Sequence, residues 1–365
     1  MNHKTKLLTL ALIGIPLLIH PYRVWASTRV NGLNTLREMS EARSVDTLKV
    51  LRQAARRGDP SAETALGDMY EYGMGLVPEN YVQAVTLYRK AAEQGYADAQ
   101  YRLSTAYMDG EGVPKNLRKS VSWLRKAAAG GNVTAQMYVA EEYMYGTMGV
   151  SRNLTEAATW YRRAAEQGDA DAEFNLGMMY SNAQGVTRDY SETVKWCRKS
   201  AEQGDDGGEL CLGISYDLGN GVPQNYAEAV KWYSKAARHG FPDAQDDLGY
   251  MYATGHGMTL SYRSAIVLYR KAADNYIATS GCNGCAEAQY NLGVMYFRGS
   301  GVPQNYVEAY KWWVLAKADS NADGSVSRRA ARYMTMLSSK MTPAEIAKAQ
   351  AAASTWFKAH ENPGQ

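Results

Sequence analysis

Residues Ala172 to Gly204 read AEFNLGMMYSNAQGVTRDYSETVKWCRKSAEQG, and much of the chain repeats this stretch with substitutions. Its landmarks are a small residue, a Leu-Gly pair and a Tyr, then a Gly-Val turn, an Asn or Asp, and an aromatic run closing on Ala and Gly. Alignment on Leu176 picks out Leu66, Leu103, Val139, Leu176, Leu212, Leu248 and Leu292, at steps of 37, 36, 37, 36, 36 and 44 residues. Seven copies at one period mark a repeat array, in which no unit can bury its apolar face without its neighbours.

Helix geometry accounts for the landmarks. Ala172, Leu176, Gly177 and Tyr180 fall at i, i+4, i+5 and i+8, on one stripe of an α-helix. Glycine pairs such as Gly73/Gly75, Gly110/Gly112, Gly219/Gly221, Gly255/Gly257 and Gly299/Gly301 end that helix, because glycine accepts the left-handed C-cap conformation. A second helix opens at Asn80-x-x-Gln83, Asn153-x-x-Glu156, Asp189-x-x-Glu192, Asn225-x-x-Glu228 and Asn305-x-x-Glu308. That spacing predicts a capping box in five of the seven copies, with the N3 side chain reaching back to the cap. Triplets such as Ala84/Tyr88/Ala91, Ala157/Tyr161/Ala164 and Ala229/Tyr233/Ala236 continue at helical spacing, with Trp160, Trp196, Trp232 and Trp312 beside them.

The motif A-x-x-x-L-G-x-x-Y-x-x-G-x-G-V-x-x-N-x-x-x-A-x-x-W-Y-x-x-A-A-x-x-G resembles the Sel-one-like repeat, a relative of the tetratricopeptide repeat, from about Val45 to Ala318. The resemblance implies an all-α fold: a right-handed α/α superhelical solenoid of seven helix pairs with terminal capping helices, serving as an interaction scaffold. The expected division is 1–26 as a signal peptide and 27–58 as N-terminal cap and half-repeat. Seven repeats follow at 59–95, 96–131, 132–168, 169–204, 205–240, 241–281 and 282–318, then C-terminal capping helices at 319–365. In the half-repeat, Thr47, Leu51 and Ala54 take the slots of Ala84, Tyr88 and Ala91, and Gly32 to Ser44 is read as a capping helix. Thr342-Pro343-x-Glu345 starts the last helix, whose face Ile346, Ala349, Gln350, Ala353, Trp356 and Phe357 is expected to cover the final repeat.

Lys4 and Lys6, an apolar run from Leu7 to Ile19, and small residues at Val24 and Ala26 read as a secretory signal cut after Ala26, since the run is too short to span a bilayer. The expected location is then the periplasm or the cell exterior. Of 40 basic and 37 acidic residues, removing Lys4, Lys6 and Arg23 leaves equal numbers. A near-neutral chain without a clustered basic surface argues against nucleic acid or an anionic membrane as partner, while the resemblance implies a protein or peptide.

Four cysteines remain to be placed. The 44-residue step carries an insertion around Ile277 to Cys285, and an oxidising compartment favours a local Cys282–Cys285 disulfide there. Cys197 and Cys211 fall on helices that should be adjacent and antiparallel. Cysteine-rich relatives of the family link such helices, nearer the turn. Here Cys197 takes an aromatic slot and Cys211 one facing away from the buried Leu, so a disulfide and two thiols both remain open.

No catalytic constellation emerges. His239, His256 and His360 are far apart, no Ser precedes a Lys by three residues, and the Gly-Val turns lack the strand and Lys of a phosphate loop. No metal site and no cofactor are assigned. Asp319, Asn321, Asp323 and Gly324 imitate the opening of a calcium loop, but position 12 is Ala330 where a bidentate Glu is required.

What remains is surface. In related arrays the first helix of each pair lines a concave groove, beside the Leu-Gly pair. Carried over, the resemblance implies a peptide-binding face formed by Arg102, Tyr138, Asn175, Asp247 and Asn291, one residue before the Leu, and by Asp68, Thr105, Glu141, Met178 and Tyr250, two after it. The expected function is a secreted, non-enzymatic adaptor in envelope signalling or host interaction. The alternative is a β-lactam or cell-wall-peptide binding protein with weak hydrolase activity.

Overall fold

The computed structural model describes residues 45–147, 149–275, 283–318 and 324–360. The expected signal segment, the capping helix before Ser44, Cys282 and the Asp319–Asp323 loop lie outside the described residues. Those described contain 17 helices and no strand, in two units, 45–188 and 189–360. The fold class is an all-α solenoid of helix pairs.

The first unit holds α1 (Val45–Arg56), α2 (Pro60–Tyr72), α3 (Tyr81–Glu93), α4 (Ala97–Asp109), α5 (Leu117–Ala129), α6 (Val133–Tyr145), α7 (Leu154–Glu166) and α8 (Ala170–Asn182). The second holds α9 (Tyr190–Glu202), α10 (Asp206–Leu218), α11 (Tyr226–Arg238), α12 (Pro242–Thr254), α13 (Tyr262–Asp274), α14 (Asn283–Arg298), α15 (Tyr306–Ala318), α16 (Gly324–Ser338) and α17 (Pro343–His360). Within each unit, each helix packs against its sequence neighbours, as stacking of two-helix modules requires, except that α16 and α17 both pack on α15. Each helix from α2 to α13 has 13 residues, and therefore a length of about 20 Å.

The equal lengths come from stop and start signals. Gly219, at φ 75°, ends α10 with its N–H donating to Ser215 O. At the corresponding end of α8 an alanine, Ala183, adopts φ 56°, the one non-glycine at positive φ among the described residues. All seven second helices carry a side-chain N-cap: Asn80, Asn116, Asn153, Asp189, Asn225, Ser261 and Asn305.

The reciprocal half of the predicted capping box is not formed at the repeats. The N–H of Asn225 donates to Tyr216 O at 2.8 Å, and Asn80, Asn116, Asn153, Ser261 and Asn305 likewise donate to the carbonyls of Tyr70, Tyr107, Tyr143, Tyr252 and Tyr296. The turn is short enough to fold each cap over the end of the preceding helix, where carbonyls lack partners. Three of the N3 acids instead pair with a lysine three residues on, Glu192–Lys195 at 2.8 Å, Glu228–Lys231 at 3.5 Å and Glu308–Lys311 at 2.7 Å. A complete box does form at Thr342 and Glu345, where no such carbonyl competes: Thr342 N–H donates to Glu345 Oε2 at 2.8 Å and Glu345 N–H to Thr342 Oγ1 at 3.3 Å.

The cores follow the repeat. Leu103 and Leu176 in the first unit, and Leu212 and Leu292 in the second, are fully buried. The glycine after the Leu makes room for a ring of the second helix, Tyr88 at Gly67, Tyr233 at Gly213, Tyr269 at Gly249 and Trp313 at Gly293. Cations three residues after Trp123, Trp160, Trp196 and Trp232 lie over their rings at 4.0–4.4 Å, covering the tryptophans that the core leaves at its margin. On α17, Ala349 and Ala353 are buried and Ile346, Trp356 and Phe357 pack on the last repeat, whereas Gln350 stays exposed.

Candidate functional site

The residues assigned to the binding face divide between a seam and a surface. The seam is marked by the disulfide Cys197–Cys211, with Cα atoms 6.0 Å apart. Cys211 stands one before Leu212, and Cys197 stands where other second helices carry Tyr88, Tyr161, Tyr233 and Tyr269. The slot before the Leu is therefore directed at the aromatic slot of the preceding repeat. Other pairs agree, since Arg102 acts on the hydroxyl of Tyr88, and Asp247 on that of Tyr233.

This corrects part of the predicted groove. Asn175 and Asp247 are 1% and 0% exposed, closed over by the seam, and Met178 is buried as well, its unbranched apolar side chain gaining by leaving water. The other seven residues keep partial access to solvent.

At the seam of repeats one and two, Asp68 on α2 and Arg102 on α4 form an ion pair, Nε to Oδ1 3.0 Å. The Tyr88 hydroxyl donates to Asp68 Oδ1 at 2.6 Å with Glu71 Oε2 2.5 Å from the same oxygen, and Arg102 Nη1 lies 3.5 Å from the Tyr72 hydroxyl. Burial pushes the Asp68 carboxyl up while Arg102 and Tyr88 pull it back; burial also opposes the charge on Arg102, but the Asp68 carboxylate outweighs it. Thr105 returns its hydroxyl to Arg102 O at 2.8 Å. These three side chains are satisfied internally.

At the seam of repeats three and four the chemistry is open. Glu141 is half-buried, and burial first, then the charge of Asp171 on α8, raises its carboxyl to about 7. Tyr138 and Tyr145 flank it on α6, three residues before and four after, and so on the same face. Tyr138 stacks on Tyr101 at 6.3 Å between ring centres, and Tyr145 is 51% exposed. Across the seam, Asn175 Oδ1 is buried without a hydrogen-bond partner.

In the second unit, Tyr250 meets the ring of His256 edge-on at 6.1 Å, and Asn291 Nδ2 donates to Asp246 Oδ1 at 2.8 Å. His256 also stacks on Tyr226 at 4.7 Å, and His360 on Trp356 at 3.9 Å. Cys285 is buried; its expected partner Cys282 lies outside the described residues. Among the described residues no group of three or more His, Cys, Asp or Glu is placed to hold a metal ion, and no helix is long and apolar enough to cross a membrane.

Three residues of this face escaped the sequence reading. Tyr72 and Tyr145 stand six residues after the Leu, and Asp171 five before it. Steps of three and four from the slots already named lead to both positions, so helical periodicity was the signal that reaches them.

The family model of the Sel1 repeat matches residues 60–96, 97–132, 133–169, 170–205, 211–241, 242–276 and 286–321. Among solved structures the chain is similar to a Sel1 repeat protein from Oxalobacter formigenes, with 30% identity, 80% of each chain covered and a TM-score of 0.54. It is also similar to c5321, a protective antigen present in uropathogenic Escherichia coli strains displaying an SLR fold, with 26% identity over 87% of this chain and 88% of that one and a TM-score of 0.34. A putative sel1 repeat protein from Klebsiella pneumoniae is 22% identical, over 60% of this chain and 99% of that one, with a TM-score of 0.39. No curated protein matches the chain.

Proposed function

The chain belongs to the Sel1 repeat family, and from that membership we propose that it is a non-enzymatic adaptor, binding another protein or peptide along the exposed face of its first helices. Sel1 repeat proteins commonly mediate protein–protein interaction. The observation that carries the reading for this chain is the face of α6, where Tyr138, Glu141 and Tyr145 stand in line and Tyr145 is 51% exposed. Aromatic side chains held on a rigid helix are economical anchors for a partner, because little conformational freedom is lost when they are covered.

We place the adaptor in an oxidising compartment, periplasmic or extracellular, with a role in envelope signalling or host interaction. The Cys197–Cys211 disulfide supports the compartment, since such bonds persist outside the reducing cytosol. The roles themselves rest on that location.

The test is cross-linked capture from cell-envelope extract with the full chain and with a Tyr138→Ala/Tyr145→Ala variant. A specific protein band enriched by the parent and lost with the variant supports the reading. Identical capture by both, with the variant folded by circular dichroism, rejects this face as the binding surface.

A further inference from the structure

Two seams of the first unit can be superimposed residue by residue through the repeat. Asp68, Tyr72, Tyr88 and Arg102 at the first correspond to Glu141, Tyr145, Tyr161 and Asn175 at the third. At the first seam the carboxylate, the two tyrosines and the arginine form one closed set: Arg102 pairs with Asp68 at 3.0 Å, reaches Tyr72, and Tyr88 donates to Asp68. At the third seam the carboxylate and both tyrosines are kept, but the arginine position holds a shorter, neutral asparagine.

Resting on the adaptor reading above, we propose that the third seam binds a cationic side chain, arginine or lysine, presented by the protein partner, which takes the place that Arg102 fills at the first seam.

Four observations carry this. The Glu141 carboxylate has no cationic partner among the described residues. The charged and titratable groups around it are Asp171 from α8, Tyr161 from α7, and Tyr138 and Tyr145 from α6 itself, none of them a cation. Asn175, in the arginine slot, is neutral, 1% exposed and has an Oδ1 that accepts nothing, so the seam supplies no cation of its own where Arg102 stands at the first. Tyr138 and Tyr145 flank the carboxylate, and a tyrosine face attracts a guanidinium or ammonium group. The carboxyl raised to about 7 describes the same deficiency, a negative charge held in a partly buried place without compensation.

The acidic character also selects the partner class. A phosphate backbone or anionic lipid would be repelled by Glu141 and Asp171, and an acidic peptide likewise. An arginine suits the carboxylate best, since its planar fork can engage both carboxylate oxygens together.

Binding of capped heptapeptide pools to the full chain, followed by fluorescence polarisation, tests the assignment. The central residue is fixed as arginine, lysine, citrulline or norleucine and the other six positions are randomised. Citrulline keeps the shape of arginine without its charge, a carbonyl oxygen standing in place of one guanidinium nitrogen. The arginine and lysine pools should bind about tenfold more tightly than the other two. Glu141→Gln removes the charge without changing the size, and Asn175→Arg supplies the cation from within; each should erase the preference. If the four pools bind equally, or if the preference survives Glu141→Gln, the cationic site is overturned while peptide binding stands. If no pool binds at all, the underlying adaptor reading falls with it.

Discussion

The ring of Tyr269 lies so close to Gly249 that a Cβ added to the glycine would stand 2.7 Å from Tyr269 Cε1. In an exposed helix interior, replacing glycine by alanine gains about 1 kcal/mol. Here overpacking opposes that gain at a site where Tyr269 is 2% exposed and unable to swing away. Gly249→Ala should therefore destabilise by about 1–3 kcal/mol. The second repeat suggests a compensation, since it carries Ser104 in the glycine slot and Leu124 in the slot of the ring. Adding Tyr269→Leu should recover part of the loss in urea unfolding, and a single variant more stable than the parent would sink the argument.

The Leu-Gly pair and the second-helix aromatic were legible in the sequence because their packing recurs at every repeat, so periodicity alone exposes it. The slot before the Leu was less legible. Helical spacing places it on the same arc as the slot two after the Leu, but only the neighbouring repeat decides which part of that arc is covered. Cys197 and Cys211 carried the information, since one holds the aromatic slot and the other the slot before the Leu, and joining them locates the seam. Without the joined pair, Asn175 and Asp247 read as surface.

The disulfide should matter for stability as well as for register. It closes a loop with a sequence separation of 14, for which restriction of the unfolded chain is worth about 3 kcal/mol. Both sulfur positions are buried, so removing them also loses packing between α9 and α10. A Cys197→Ala/Cys211→Ala variant should unfold at lower urea and lose the sensitivity of the Cys197–Cys211 region to reductant in hydrogen exchange. A midpoint equal to that of the oxidised parent would refute the contribution.

At the start of α11 two residues of one apparent motif have unequal weight. Asn225 accepts the N–H groups of Ala227 and Glu228, at 3.1 and 3.2 Å, whereas the cap's own N–H goes to Tyr216 O. Asn225→Ala should cost about 1 kcal/mol. Glu228→Ala removes only an exposed contact with Lys231 at 3.5 Å and should cost a few tenths of a kcal/mol. At Thr342 the box is complete, and the same alanine replacement at Glu345 should cost more than at Glu228. Equal losses at Glu228 and Glu345 would contradict the hydrogen-bond assignment.

Glu141 gives the fold a pH dependence whose sign can be worked out. Burial, then Asp171, raises its carboxyl from the ordinary 4.5 to about 7 in the folded chain. A folded value above the unfolded one means that the native state holds this proton more tightly. The contribution is fully present below about pH 4.5 and is lost as the pH rises through about 7, where the native state must carry an uncompensated charge. With partial solvent access taken into account, the loss is on the order of 1–2 kcal/mol. Glu141→Gln cannot ionise, so between about pH 5 and pH 8 its stability should decline less than that of the parent, leaving it the more stable at the alkaline end. Asn175→Arg should flatten the same interval by a different route, lowering the Glu141 carboxyl as Arg102 does for Asp68. Urea midpoints for the three proteins across that interval decide the matter, and parallel curves for parent and Glu141→Gln would show that Glu141 titrates as it does in the unfolded chain.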